Sequence, residues 1–179
     1  MTTKHDYLLK AHELFFQRTV ALNREIEALS KTLDREALKQ HETVKLAKRV
    51  YDATLDIIPQ DPNHPSYRLT NELRKYRRYK QGLARYRLFF AFSTAPKIIL
   101  YLYLNDKGSL RKEGDKNDPY QIFARFVSQG KVSYAEALIK HAKVNEAKTI
   151  LQDLIRTAPL HSRSDRHVAR WARELLAKL

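Results

Sequence analysis

The stretch Arg85-Tyr-Arg-Leu-Phe-Phe-Ala-Phe-Ser-Thr-Ala-Pro-Lys-Ile-Ile-Leu-Tyr-Leu-Tyr-Leu104 decides the fold class. In its first half Tyr86, Leu88, Phe90 and Phe92 alternate with Arg85, Arg87, Phe89 and Ala91, the two-residue period of a β-strand. Ser93-Thr94-Ala95-Pro96 reads as a turn. Ile98, Leu100, Leu102 and Leu104 then alternate with Ile99, Tyr101 and Tyr103. The two halves predict an antiparallel hairpin with one fully apolar face. Leu73–Lys80, just upstream, predicts a further strand.

Outward from this hairpin the period changes. Tyr7-Leu8-Leu9 begins as a short apolar strand. From about His12 the chain turns helical, with Phe15, Leu22, Ile26, Leu29 and Leu33 on one stripe. Asp34 caps a second helix whose stripe includes Val44, Ala47, Tyr51 and Ile58. Pro59, Pro62 and Pro65 end helical structure. On the other side, Asn105-Asp106-Lys107-Gly108 is a turn and 112–119 is polar loop. A helix then starts with Asp118 as its cap and Pro119 in its first position. Past Gly130 the pattern is helical only, over Ser133–Lys143, Asn145–Thr157 and Ser164–Leu179. The expected architecture is α+β: a small antiparallel sheet with two N-terminal helices packed on one face. It occupies residues 1–130 as one domain, with a C-terminal helical extension over 131–179.

The chain has 179 residues, 43% of them hydrophobic and 30% charged, which suits a folded domain with a real core. It carries no cysteine, which excludes disulfides, thiol catalysis and cysteine-ligated metals and suits a reducing cytoplasm. Only four glycines are present, and no glycine-rich phosphate loop occurs. No apolar run is long enough to span a bilayer, so no membrane is expected.

The formal net charge is +14, and it is unevenly spread. Between Arg68 and Arg87 stand eight bases against one acid, Glu72, with Tyr76, Tyr79 and Tyr86 interleaved. Bases neutralise phosphates and tyrosine rings stack on unpaired bases, so RNA is the expected partner and Arg74, Lys75, Arg77, Tyr79 and Arg85 its expected contacts. Strand alternation would give the sheet one apolar and one cationic side. None of the seven histidines falls between Arg68 and Tyr120, so the charged sheet lacks the usual general base. Asp106, Glu113, Asp115 and Asp118 could in principle hold a magnesium ion in a metal-dependent nuclease. Commonplace acids in a polar loop carry little weight, and no metal or cofactor is expected.

Several motifs then converge on one family. Arg78-Tyr79-Lys80, Arg85-Tyr86-Arg87-Leu88-Phe89-Phe90, Lys97-Ile98-Ile99-Leu100, Leu104-Asn105-Asp106 and Asp118-Pro119-Tyr120-Gln121-Ile122-Phe123 resemble the YhaV family of bacterial toxins, within the RelE/ParE superfamily. Lys10-Ala11-His12 and Pro62-Asn63-His64-Pro65-Ser66-Tyr67-Arg68 add to the likeness. It runs from about Tyr7 to Gly130. The resemblance implies the toxin of a type II toxin–antitoxin pair, an endoribonuclease that cuts mRNA, free or on the ribosome, and arrests translation. It implies a PrlF-like antitoxin of the AbrB type. It further implies metal-independent cleavage, in which the ribose 2′-hydroxyl attacks the adjacent phosphate. Carried over by motif position, Arg78, Lys80, Arg87, Arg111 and Tyr120 are the catalytic candidates, with Lys80 and Tyr120 as the groups able to move a proton. The competing expectation is a non-enzymatic protein of the same fold, either a topoisomerase-inhibiting toxin or a basic RNA- or ribosome-binding factor.

Overall fold

The computed structural model describes residues 6–95 and 97–133. Strand β1 (Leu8–Ala11) leads into helix α1 (Glu13–Ser30). Helices α2 (Arg35–Gln40) and α3 (Glu42–Asp52) follow, and α3 runs on through a π-helical turn over Ala53–Ile57 into the short α4 (Ile58–Gln60). Strands β2 (Arg77–Tyr79), β3 (Leu88–Thr94) and β4 (Lys97–Leu104) form most of the sheet, and α5 (Pro119–Ser128) closes the described chain. The expected helical extension lies, from residue 134 onward, outside the described residues.

The α+β architecture is as expected from the sequence, with two refinements. The sheet order is β1-β4-β3-β2, and β1 joins β4 in parallel while the other pairs are antiparallel. The second expected helix divides at His41, whose backbone is extended and whose ring Nδ1 accepts from the Thr43 amide at 3.2 Å. His12 caps α1 in the same way, and His64 caps the short 3₁₀ turn Pro65–Tyr67. Three histidines are thereby used as helix caps rather than in chemistry. Pro59 does not end the helix. The preceding π turn, in which the Ile58 amide reaches back to the Ala53 carbonyl, accommodates its missing donor.

The hairpin departs from strict alternation at one residue. Leu88 pairs with Leu104 and Phe89 with Tyr103, but Phe90 pairs with Tyr101, which leaves Leu102 as a β-bulge. Because side-chain facing has a period of two, one inserted residue switches every later side chain to the other face. Leu104 therefore joins Ile99 and Tyr101, and Tyr103 turns to the opposite side.

Both sides of the sheet consequently carry apolar cores. On one, Leu88, Phe90, Ile99, Tyr101 and Leu104 pack with Phe15 and Leu22 of α1 and Leu46, Ala47 and Val50 of α3. Val44 and Tyr51 belong to the stripe that the sequence pattern buries, yet Val44 is only partly buried and Tyr51 is 42% exposed; the buried stripe of α3 is instead Thr43, Leu46, Ala47 and Val50. On the other side, Phe123 of α5 stacks on Phe89 at 4.3 Å and lies parallel to Tyr103 at 6.4 Å, with Tyr76 edge-on at 5.1 Å. The expected cationic face of the sheet is thus an aromatic face covered by a helix, and the positive charge is confined to its end.

Tyr101 is the polar pin of the helix-side core. It is 3% exposed, and its hydroxyl donates to the Thr54 carbonyl in the π turn. Burial pushes its phenol far above the ordinary 10.0, with a smaller push from Tyr67. Burial likewise raises Tyr67, Tyr79, Tyr86 and Tyr103. The unfolded chain then ionises these phenols at lower pH than the folded one does. Stability should hold on the alkaline side up to about pH 10 and fall as pH rises further, and Tyr101→Phe should shallow that fall while lowering the neutral-pH stability by about 1–3 kcal/mol for the orphaned Thr54 carbonyl. Urea unfolding of both proteins between pH 8 and 11.5 measures this; an unchanged slope in Tyr101→Phe would contradict it.

Candidate active site

The alternation of β2 sorts the basic segment. Arg77 and Tyr79 lie opposite Phe90 and Leu88 and so turn to the α1–α3 side; Arg78 lies opposite Phe89 and turns to the α5 side. Tyr79 is 5% exposed, packed at 5.7 Å from Tyr67, and Tyr76 is 1% exposed. The expectation that Tyr79 stacks on RNA is therefore corrected: it belongs to the core. Arg77 is also engaged internally. Its guanidinium lies over Phe92 at 5.2 Å and donates to the carbonyls of Arg74 and Tyr76 and to Asn63 Oδ1 at 3.0 Å, which pins the Pro62–Pro65 loop. Arg74, Lys75 and Arg85 remain exposed, as an RNA contact requires.

Four of the five catalytic candidates converge. Tyr120 opens α5, its ring edge-on to Phe89 at 5.5 Å. The Arg78 guanidinium lies over that ring at 5.9 Å and the Arg111 guanidinium at 5.2 Å. Burial is the largest influence on Arg78 and lowers it from the ordinary arginine value. Tyr120 opposes this, and the nearby positive charges of Arg87 and Arg111 add to it. Arginine nevertheless stays charged. Neither Arg78 nor Arg87 has an ion-pair partner among the described residues, and the Nε atom of each is buried without a hydrogen-bond acceptor. Two such partly dried guanidiniums without a carboxylate partner are suited to an anion with planar pairs of oxygens.

The fifth candidate stands apart. Lys80 follows the last residue of β2, is exposed, and makes no ion pair among the described residues; its amide donates to Gln81 Oε1.

The loops that hold the cluster are tied together. Arg85 Nε donates to the Arg111 carbonyl at 3.0 Å, and the Arg111 amide donates to the Arg85 carbonyl at 2.9 Å. Asn105, fully buried, accepts from the Arg87 amide through Oδ1 and donates to the Ser109 carbonyl at 2.7 Å. Asp106 and Ser109 close a reciprocal capping box on the following 3₁₀ turn. The Lys80–Arg87 turn passes through left-handed backbone at Gly82 (φ +68°) and Ala84 (φ +50°), and Leu83 between them is fully buried. The second conformation is costly for a residue with a Cβ. It directs the Ala84 carbonyl at Arg87 Nη1, 2.7 Å away, while the Tyr86 carbonyl accepts from the same nitrogen at 2.6 Å. Arg87 is thereby folded back on its own turn.

The four acids weighed as magnesium ligands are each engaged with another side chain. Asp118 pairs with Arg111, Asp106 with Ser109, Asp115 with Lys112, and Glu113 with Arg111 at 3.5 Å. Among the described residues no three histidine or carboxylate side chains gather as a metal site. No helix among them is long and apolar enough to cross a membrane. Asn105 and Asp118 are the site residues whose importance sequence reasoning misses; the paired Asn-Asp and Asp-Pro-Tyr motifs are the available signal.

Comparison with known proteins identifies the family. A family model described as a toxin with endonuclease activity, of a toxin–antitoxin system, matches residues 9–143, past the boundary drawn after Gly130. Toxin YhaV of Escherichia coli O6:H1 and ribonuclease toxin YhaV of Escherichia coli K12 are each 33% identical over 129 residues, spanning 69% of this chain and 83% of theirs. A solved structure of the RelBE2 toxin–antitoxin complex from Mycobacterium tuberculosis aligns over 58% of this chain and 94% of its own with a TM-score of 0.35 and 12% identity.

The Asn105 clip generates a direct expectation. Asn105→Ala orphans the Arg87 amide and the Ser109 carbonyl and should lower stability by about 2–4 kcal/mol, from two buried groups at roughly 1–3 each with partial relaxation. Urea denaturation reads the loss; a variant as stable as the parent would show that the clip does not hold the Arg87 turn.

Proposed function

The chain belongs to the YhaV family of toxins, and from that premise we propose that it is the toxin endonuclease of a toxin–antitoxin pair, cutting RNA at the Arg78–Arg87–Arg111–Tyr120 cluster without a metal ion. The observation that carries the reading is the convergence of two guanidiniums, from β2 and from the 105–118 loop, on one phenol at the start of α5.

In this reaction the 2′-hydroxyl oxygen forms a bond to the adjacent phosphorus and the bond from phosphorus to the 5′-oxygen breaks. The 2′-hydroxyl proton leaves to a base, and the 5′-oxygen takes up a proton. The products are a 2′,3′-cyclic phosphate and a 5′-hydroxyl. Negative charge grows on the non-bridging oxygens in the transition state. Arg78 and Arg111, fixed before the substrate arrives, stabilise that charge in place of a cation. Arg87 adds positive charge from the side, and its Nη1 can exchange two neutral carbonyls for a charged phosphate oxygen, a stronger acceptor. Tyr120 is the proton carrier this geometry favours, because its hydroxyl belongs to the ring that both guanidiniums face. Exposed Lys80, beyond the end of β2, serves as an RNA contact with Arg74, Lys75 and Arg85. The substrate is mRNA in the cytoplasm, free or on the ribosome, and the antitoxin is a PrlF-like protein of the AbrB type.

Incubation of the full chain with end-labelled RNA in EDTA tests the reading. Cleavage should persist and leave cyclic phosphate ends. Arg78→Ala should bind RNA and slow cleavage by about 10²–10³-fold. Tyr120→Phe should cleave poorly and Lys80→Arg nearly normally; the reverse pair would move the proton role to Lys80. Loss of cleavage in EDTA with rescue by magnesium would overturn the metal-free mechanism, and RNA binding without any cleavage would return the chain to the non-enzymatic class.

A further inference from the structure

Asp118 does more than begin a helix. It is 3% exposed, and its two oxygens meet three donors. Oδ1 accepts from the Tyr120 amide at 3.0 Å, Oδ2 accepts from the Lys112 amide at 2.9 Å, and Oδ2 also pairs with Arg111 Nη1. One carboxylate thus fixes the first turn of α5, the end of the Arg111 loop, and the Arg111 guanidinium itself.

A helix cap needs only a side-chain acceptor, and asparagine or serine serves as well as aspartate. The charge at 118 therefore answers to Arg111. The contacts of that arginine are unequal. Its inner nitrogen, Nη1, is held by the buried carboxylate, whereas Nη2 faces Glu113 at 3.5 Å, whose side chain is 93% exposed. Phosphate can displace so exposed a partner; it cannot displace Asp118. Without the inner contact the Arg111 side chain would be free to leave Tyr120, driven by repulsion from Arg78, whose own surroundings include the charges of Arg87 and Arg111.

We propose that Asp118 is a positioning residue for RNA cleavage: by holding Arg111 Nη1 it sets the Arg111 guanidinium over Tyr120, at a fixed spacing from Arg78, and leaves the outer edge of that guanidinium for phosphate. This inference rests on the reading of the cluster as the cleavage site. Misplacement of a charge stabiliser by about 1 Å costs on the order of 10²-fold in rate, so the effect should appear at saturating RNA and not in affinity.

The test is a double-mutant cycle on the full chain, using single-turnover cleavage of one RNA oligonucleotide, its dissociation constant, and the thermal midpoint of each protein. Asp118→Asn retains a capping acceptor and removes the charge. It should cleave about 10–10²-fold more slowly at saturation with RNA affinity not weakened. Arg111→Gln should also be slow, and Asp118→Asn added to Arg111→Gln should cause no further loss, since Asp118 acts through Arg111. Independent, multiplying losses would overturn the proposal, as would an Asp118→Asn protein as fast as the parent while Arg111→Gln is slow. If Arg111→Gln itself matches the parent, the cleavage-site reading fails instead. Should Asp118→Asn not fold, Asp118→Ser, another strong cap, takes its place in the cycle: slow cleavage with no further loss in the double variant supports the proposal, and multiplying losses or parental speed overturn it.

Discussion

A single inserted residue, Leu102 in β4, is the constraint from which the rest of the arrangement follows. Without it, Tyr103 would share the α1–α3 side with Tyr101, and the opposite side would lack the flat aromatic surface on which α5 rests. With it, Tyr103 and Phe89 stand together at 6.0 Å, nearly parallel, and Phe123 lies against both. Edge-to-face and offset stacking restrict how α5 can settle as well as stabilising it. That seat brings Tyr120, three residues and nearly one helical turn before Phe123, to the ring edge of Phe89 and hence beside Arg78, the cross-strand partner of Phe89.

The positive charge is managed in an uncommon way. A surplus of fourteen charges ordinarily lies on solvated surface or against carboxylates. Here Arg77, Arg78 and Arg87 rest on aromatic faces and backbone carbonyls, groups that orient a guanidinium without cancelling it. Arg111 is the member of the cluster with a buried carboxylate, and only its inner nitrogen is taken by it. Field strength is thus preserved where the chain needs it, while the ring faces keep long side chains from wandering.

The order of elements, the hairpin, the Asp118–Pro119 helix start and the concentration of charge are all legible in the sequence, since each has a periodic or capping signature. The bulge is not, because Leu100, Leu102 and Leu104 are equally apolar and a shift between them leaves the pattern unchanged. Parallel pairing of β1 is hidden for a similar reason: four residues do not encode direction. In the site, Arg78, Arg111 and Tyr120 are identifiable from motif positions and do converge. Tyr79 misleads because a tyrosine between two bases reads identically whether the strand buries or exposes it. Asp118 is visible only as a cap, since its charge partner is seven residues away in the same irregular loop.

The buried Nε atoms of Arg77, Arg78 and Arg87, which meet no acceptor, have a consequence for how this chain can change. Each is a donor removed from water at a cost and left unsatisfied in the free protein. These donors oppose folding, and a leucine or methionine at position 78, with similar bulk and no donor, should make a sturdier protein and, at the cleavage site proposed above, a slower one. Selection for robustness alone would erode the cluster. In the cleavage site proposed above, activity and thermodynamic stability stand in opposition at Arg78 and Arg87, so that a more stable natural or engineered variant altered there is one to examine first for lost toxicity.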